Sequence, residues 1–173
     1  MSANSFFCSD CGKEHPGLAT DWGFKLPDEV HALSNINRYE RTRHNADVCT
    51  LDESRHFIRG VLSLPIVGSG QEFSWGVWVE VSRDTHDLYV KNWSADISAE
   101  PRAAGTVANN ISVYQDERRF QVEVQFNAGN DRPSFFLPED ANSAIALEQR
   151  HGISVKRQHG ILEALGCFKD GDN

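Results

Sequence analysis

No stretch of this 173-residue sequence approaches the ~20 apolar residues that a bilayer-crossing helix needs, so no membrane span is expected. Met1 to Phe7 lacks the basic n-region and the apolar h-region of a secretory signal, which makes the cytoplasm the expected location. Positive charge is in short supply: 17 Lys and Arg stand against 25 Asp and Glu, a formal net charge of -8. An acidic globule repels phosphate backbones and anionic lipid, so neither nucleic acid nor a membrane surface is an expected partner. A basic protein or peptide is the partner that the charge allows. Catalytic signatures are missing too. No G-x-S-x-G elbow, Walker loop, G-x-G-x-x-G, H-E-x-x-H or zinc-deaminase pattern occurs. The seven histidines form no pair at helical metal-binding spacing, and no residue is assigned a catalytic role. Cysteine is scarce, and in a reducing compartment its four copies read as metal ligands or free thiols before disulfides.

What is present suits one domain over residues 1–173. It divides into a cysteine-turn subregion at 1–25, a body at 26–166 and a short acidic tail at 167–173. The apolar share is 39%, and ten Phe and four Trp supply large buried area per residue. Phe73, Trp75, Val77, Val79 and Val81 alternate with Ser74, Gly76, Trp78, Glu80 and Ser82; Phe120 to Asn127 repeats the pattern. Both predict strands with one buried face. His56 to Leu64 reads as a third strand ended by Pro65, with Gly68-Ser69-Gly70 as its turn. Asp87 to Trp93 and Arg132 to Leu137 are weaker strand candidates, and residues 94–118 read mostly as loop.

Pro27-Asp28-Glu29 opens a helix, which Arg38 to His44 either continues or follows as a second one. Pro138-Glu139-Asp140 opens another, running to about Arg150 and stopped by Gly152, before a last helix over about Val155 to Leu165. The expected class is α+β: an antiparallel sheet with a zinc-knuckle-like N-terminal turn and flanking helices, two of them C-terminal.

The cysteine turn is Phe6-Phe7-Cys8-Ser9-Asp10-Cys11-Gly12-Lys13. Two thiolates at this spacing fit one tetrahedral ion, and Gly12 permits the left-handed geometry that completes a knuckle. A redox pair or free thiols is the rival reading, although Gly12 and Pro16 argue against the helix that usually follows a redox C-x-x-C. A closed zinc site needs two more donors. His15 and Cys49 are the candidates, with His31, His44 and Cys167 in reserve. Against these stand plainer roles: a solvated loop residue for His15, a small core residue for Cys49.

The segments Cys8-Ser-Asp-Cys11-Gly-Lys-Glu-His15, Asp47-Val-Cys49, Phe57-Ile-Arg-Gly-Val-Leu-Ser-Leu-Pro65 and Phe73-Ser-Trp-Gly-Val-Trp-Val79 together resemble a bacterial family known as domain of unknown function 2199. Leu147-Glu-Gln-Arg-His-Gly-Ile153 looks like its C-terminal signature. The resemblance spans roughly residues 6–165 and implies that Cys8, Cys11 and Cys49 belong together. It carries no activity.

Two surfaces merit attention. Arg59, Trp78 and Glu80 project from the minority faces of adjacent predicted strands, beside Gly76. They form either a cationic and aromatic ligand platform or a face covered by a helix. Arg38, Arg41 and Arg43 form either a basic patch or a solvated helix face. The functional expectation is a non-catalytic, zinc-stabilised protein-binding module, adaptor- or immunity-like. The alternative is a zinc enzyme with an open coordination position.

Overall fold

The computed structural model describes residues 5–7, 14–114 and 119–167, with side chains from residue 17 onward. Strands β1 (Ser5–Phe7) and β2 (Glu14–Pro16) pair antiparallel as a ribbon of their own. Then follow β3 (Asp21–Gly23), helices α1 (Asp28–His31) and α2 (Asn35–Arg41), β4 (Thr42–His44) and β5 (Val48–Leu51). The long hairpin of β6 (Arg55–Ile66) and β7 (Gln71–Val81) comes next, then α3 (Arg83–Lys91) and β8 (Ala103–Val107). A 3-10 turn at Ser112–Tyr114 leads to β9 (Gln121–Gln125), β10 (Ser134–Phe136), α4 (Ala144–His151) and α5 (Val155–Ala164). The class is α+β.

The sheet is mixed, whereas the sequence predicts an antiparallel one. β3 runs parallel to β7, and β10 parallel to β6; the remaining pairings are antiparallel. The order β7–β8–β9–β10–β6 returns to β7, so five strands close a ring. β5 and β4 extend it beside β6, and β3 extends it beside β7. Two glycines make closure sterically possible. A Cβ on Gly60 would lie 2.5 Å from the Phe135 ring and from the Pro133 carbonyl oxygen. One on Gly105 would lie 2.3 Å from Val79 Cγ1. Both distances are far inside van der Waals contact, so a side chain at either position pushes neighbouring strands apart.

The alternation read from the sequence sets the interior. Phe73, Trp75, Val77, Val79 and Val81 of β7 meet Ile58, Leu62 and Leu64 of β6, and Val122, Val124 and Phe126 around β9. Tyr89 of α3, Ile145 and Ala146 of α4, and Ile161 and Leu162 of α5 join the same cluster. Four helices begin on a serine whose hydroxyl accepts a backbone N–H from the first turn: Ser34, Ser82, Ser143 and Ser154.

Several expectations are corrected. Asp87 to Trp93 is mostly the second half of α3, because Leu88 and Tyr89 are adjacent rather than alternating and Ser82 caps the helix. Thr42 to His44 is strand, not helix, since it pairs with β5. Residues 94–118 contain β8, whose Ala-Ala-Gly-Thr-Val sequence has little strand character of its own and owes its state to pairing on both edges. β6 continues one residue past Pro65, whose carbonyl accepts from Ile153 N at 2.7 Å. α4 starts at Ala144, after Ser143, rather than at Pro138. Among the described residues no helix is long and apolar enough to cross a membrane.

Candidate functional site

The register of the long hairpin arranges its outer face in rows. Arg59 lies opposite Trp78, and Phe57 lies opposite both Glu80 and Cys49. Val61 lies opposite Gly76, which is itself level with Gly23 of β3; Ser63 lies opposite Ser74. The two ends of this face differ. At one end Trp78 is fully buried with Val30, Cys49, Leu51, Phe57 and Ala108, and its indole N–H donates to the Phe24 carbonyl at 3.1 Å. α1 and the segment leading to it therefore lie over Trp78. Asn109 locks this lid: it accepts from Trp78 N and donates to Leu26 O and Asp28 Oδ1.

Glu80 sits at the edge of the covered end. Its carboxylate accepts from Arg55 at 2.7 Å and from Arg119 at 2.8 Å. Both arginines also engage Glu29 of α1, and the Arg55 guanidinium lies over the Phe57 ring. Hydrogen bonding from Arg55 is the main reason the Glu80 carboxyl is held below the usual carboxylate range. Thus the register brings Arg59, Trp78 and Glu80 together as predicted neighbours, but Trp78 is packed and Glu80 is neutralised by two cations.

Arg59 differs. Its guanidinium reaches across Gly76 toward Gly23, where a Cβ would fall 2.8 Å from Nη2. Its Nε is buried and donates to nothing. Asp47, the acid whose charge acts on it, serves another cation: its Oδ1 accepts from Arg132 Nε at 2.7 Å.

Of the predicted metal ligands, Cys8 and Cys11 lie outside the described residues. His15 lies in β2, level with Phe6. Cys49 is fully buried in the apolar cluster, and that burial raises its thiol to about 11. This is the setting of a small core residue. Among the described residues no group of three or more His, Cys, Asp or Glu is placed to hold an ion. The candidate basic patch is engaged locally as well. Arg38 donates to the carbonyls of Val30, His31 and Leu33 at the end of α1, Arg41 forms a two-point pair with Asp52, and Arg43 donates to Thr42 O.

The open end of the outer face holds a groove of about 640 Å³ that sequence reasoning missed. β6 and β10 share one parallel register point, Ser134 with Val61, with Val61 N donating to Pro133 O at 2.9 Å; beyond it they part. Gln149 of α4 spans the gap. Its side chain accepts from Leu137 N at 2.7 Å and donates to Phe135 O at 2.9 Å, replacing ladder bonds that the missing strand pairing would supply. Val61 and Ser63 line one wall and Phe136 the other, with Arg102 stacked 4.3 Å over the Phe136 ring. Arg102 also pairs with Glu123, and Arg150 donates to Ala141 O. Glu72 and Glu139 on the rim are exposed and make no ion pair among the described residues.

The segment Leu147 to Ile153 is accounted for by the fold. Glu148 accepts from Tyr114 Oη and from Arg157 Nε, Gln149 bridges the parted strands, and Gly152 turns the chain at φ 81°. Ile153 then pairs with Ile66 in parallel. Glu148 thus ties α4 to the 3-10 turn and to α5, while Gln149 and Ile153 tie the segment to β6, so no reactive group is needed to explain the motif. Burial and the Glu148 hydrogen bond both push the Tyr114 hydroxyl up, which keeps it protonated.

The molecule is thus an α+β protein built on a closed mixed ring of strands, with one half of its outer face covered and the other grooved. Over residues 7–153 the chain matches the model of the DUF2199 family, described as an uncharacterized protein conserved in bacteria, and it belongs to that family. No curated protein matches the chain, and no solved structure does.

Proposed function

We propose that the chain is a non-catalytic binding module, adaptor- or immunity-like, whose groove between β6, β10 and α4 takes an extended segment of a basic protein partner. The observation that carries this reading is the parting of β6 and β10 under a rim whose carboxylates, Glu72 and Glu139, form no ion pair among the described residues, while Arg102 pairs with Glu123 and Arg150 donates to Ala141 O. Glu123 balances Arg102, and Arg150, bonded to a neutral carbonyl, keeps its charge, so Glu72 and Glu139 together still leave the rim net negative, in keeping with the net charge of -8. An aromatic wall at Phe136 beside backbone and amide groups suits a peptide, whose affinity comes from main-chain bonds and whose selectivity comes from side-chain contacts.

Selection of peptides from a displayed random library tests the reading. Wild-type protein is expected to enrich segments rich in Lys or Arg. Val61→Trp, which fills the groove from its β6 wall, and the double change Glu72→Gln with Glu139→Gln are expected to lose that enrichment. Enrichment that survives in both variants, or no enrichment by wild type, overturns it.

Zinc at the cysteine turn belongs to the same proposal, with Cys8 and Cys11 as its centre and His15 as the third donor. Cys49, packed against Phe57 and Trp78, is the weakest member of that set. Elemental analysis of untagged protein is expected to give about one zinc per chain; no zinc, with both thiols titrating freely, overturns it.

A further inference from the structure

We infer that Arg59 and the paired glycines Gly23 and Gly76 form a carboxylate-binding site, separate from the groove and independent of the peptide reading. Four observations lead there. The guanidinium of Arg59 is half-buried, and its buried Nε donates to nothing. No described carboxylate forms an ion pair with it, because Asp47, the acid whose charge acts on it, holds Arg132 instead. Its Nη2 end lies beside Gly23, which is exposed, so the charge is enclosed at one end and accessible at the other. Finally, Gly23 and Gly76 stand level in the β3–β7 pairing, and a side chain on Gly23 would collide with the guanidinium. With no side chain on either glycine, the guanidinium lies directly against the β3–β7 backbone.

Elsewhere the chain's half-buried arginines have partners: Arg55 pairs with Glu80 and Glu29, Arg132 with Asp47 and Arg157 with Glu148, while Arg38 donates to the carbonyls of Val30, His31 and Leu33. Arg59 stands apart from that pattern. Its buried Nε has given up water without gaining a protein partner, and an anion at the accessible end of the half-buried guanidinium recovers part of that cost. Burial, with the nearby Arg132 charge, already disfavours the charged form of Arg59, and Asp47 only partly offsets them.

The charges select the ligand class. Arg59 and Arg132 against Asp47 leave one net positive charge, which matches a single carboxylate and not a doubly charged phosphate held near the Asp47 oxygens. The planar guanidinium offers two parallel N–H donors to the two oxygens of a carboxylate. The carboxylate has two sources, a small organic acid or the free C-terminus of a peptide.

Titration of isotopically labelled wild-type protein, followed at the Arg59 Nε–H resonance and at the Gly23 and Gly76 amides, tests the site. The probes are acetate, N-acetylglycylglycine, the C-terminal amide of the same dipeptide, and inorganic phosphate, all at matched ionic strength. Saturable shifts are expected with both carboxylates, and binding at least about tenfold weaker with the amide. Acetate as tight as the dipeptide acid identifies a small-acid site; a dipeptide acid about tenfold tighter identifies a peptide end. Arg59→Lys, which keeps the charge and loses the fork, is expected to weaken both about tenfold. Equal shifts with acid and amide, equal or tighter phosphate binding, or no saturation by any probe overturns the site. The acid and amide comparison needs no variant, so a poorly folded Arg59→Lys does not blunt it. Loss of groove binding in the peptide selection leaves this result untouched, and the converse holds.

Discussion

The two faces of the β6–β7 hairpin carry the same alternation and meet different fates. The inner face is apolar from Phe73 to Val81, and the ring, α3, α4 and α5 close over it completely. The outer face is covered only where α1 and its leading segment reach it, around Trp78; from Val61 to Pro65 it is left as a groove wall. Periodicity therefore shows that a face exists. What covers that face is set by elements far away in sequence.

The largest test of this contrast is Trp78→Ala. If the covered outer end is core in the same sense as the interior, its loss is expected to match that of Trp75→Ala, about 3–5 kcal/mol. Urea midpoints for the two variants check it. A loss below about 1 kcal/mol for Trp78→Ala, within reach of an ordinary surface substitution, breaks the equivalence.

Gln149→Ala probes the open end. It strips the side-chain partners from Leu137 N and Phe135 O, and about 1–3 kcal/mol is expected for buried backbone groups left unpaired. Hydrogen exchange should accelerate at Leu137 while Trp78 N–H, held by Asn109, keeps its protection. Equal acceleration at both sites would show that the two ends of the outer face do not open separately.

The smallest effect concerns a polar exception on the rim of the inner face. His56 is buried, packs at a tilt against His86 with ring centroids 4.8 Å apart, and meets Thr50 Oγ1. Burial first, then the His86 and Arg83 charges, lower its affinity for protons, with Asp87 partly offsetting them. The unfolded chain then binds more protons than the folded one just below the ordinary histidine value of about 6.5. Stability from this residue is complete above that pH and declines as pH falls through it toward the lowered folded value. Urea midpoints across this range should fall for wild type and flatten for His56→Asn. An unchanged slope in the variant assigns the effect to another group.

Much of this architecture is legible in the residues. Alternation locates β6, β7 and β9 and assigns Trp75 and Trp78 to opposite faces, while Gly152 marks the end of α4. β8 escapes notice because Ala103 to Val107 has no apolar pattern strong enough to stand alone. The parallel pairings escape for a related reason: β3 and β10 are three residues each, too short to show a period, and their partners lie far along the chain. The groove is invisible in the same way, since it arises where β10 leaves β6 and an amide from α4 takes the place of a strand.

The sequence by itself determined the class, the inner face and the two C-terminal helices, because these depend on near neighbours and on a period that each segment carries within itself. Tertiary structure alone decided that the strands close into a ring, that Trp78 is covered while Val61 is not, and that Arg59 pairs with no acid among the described residues. Those outcomes turn on which distant segments meet and on whether a glycine leaves room for them, and no local pattern encodes either.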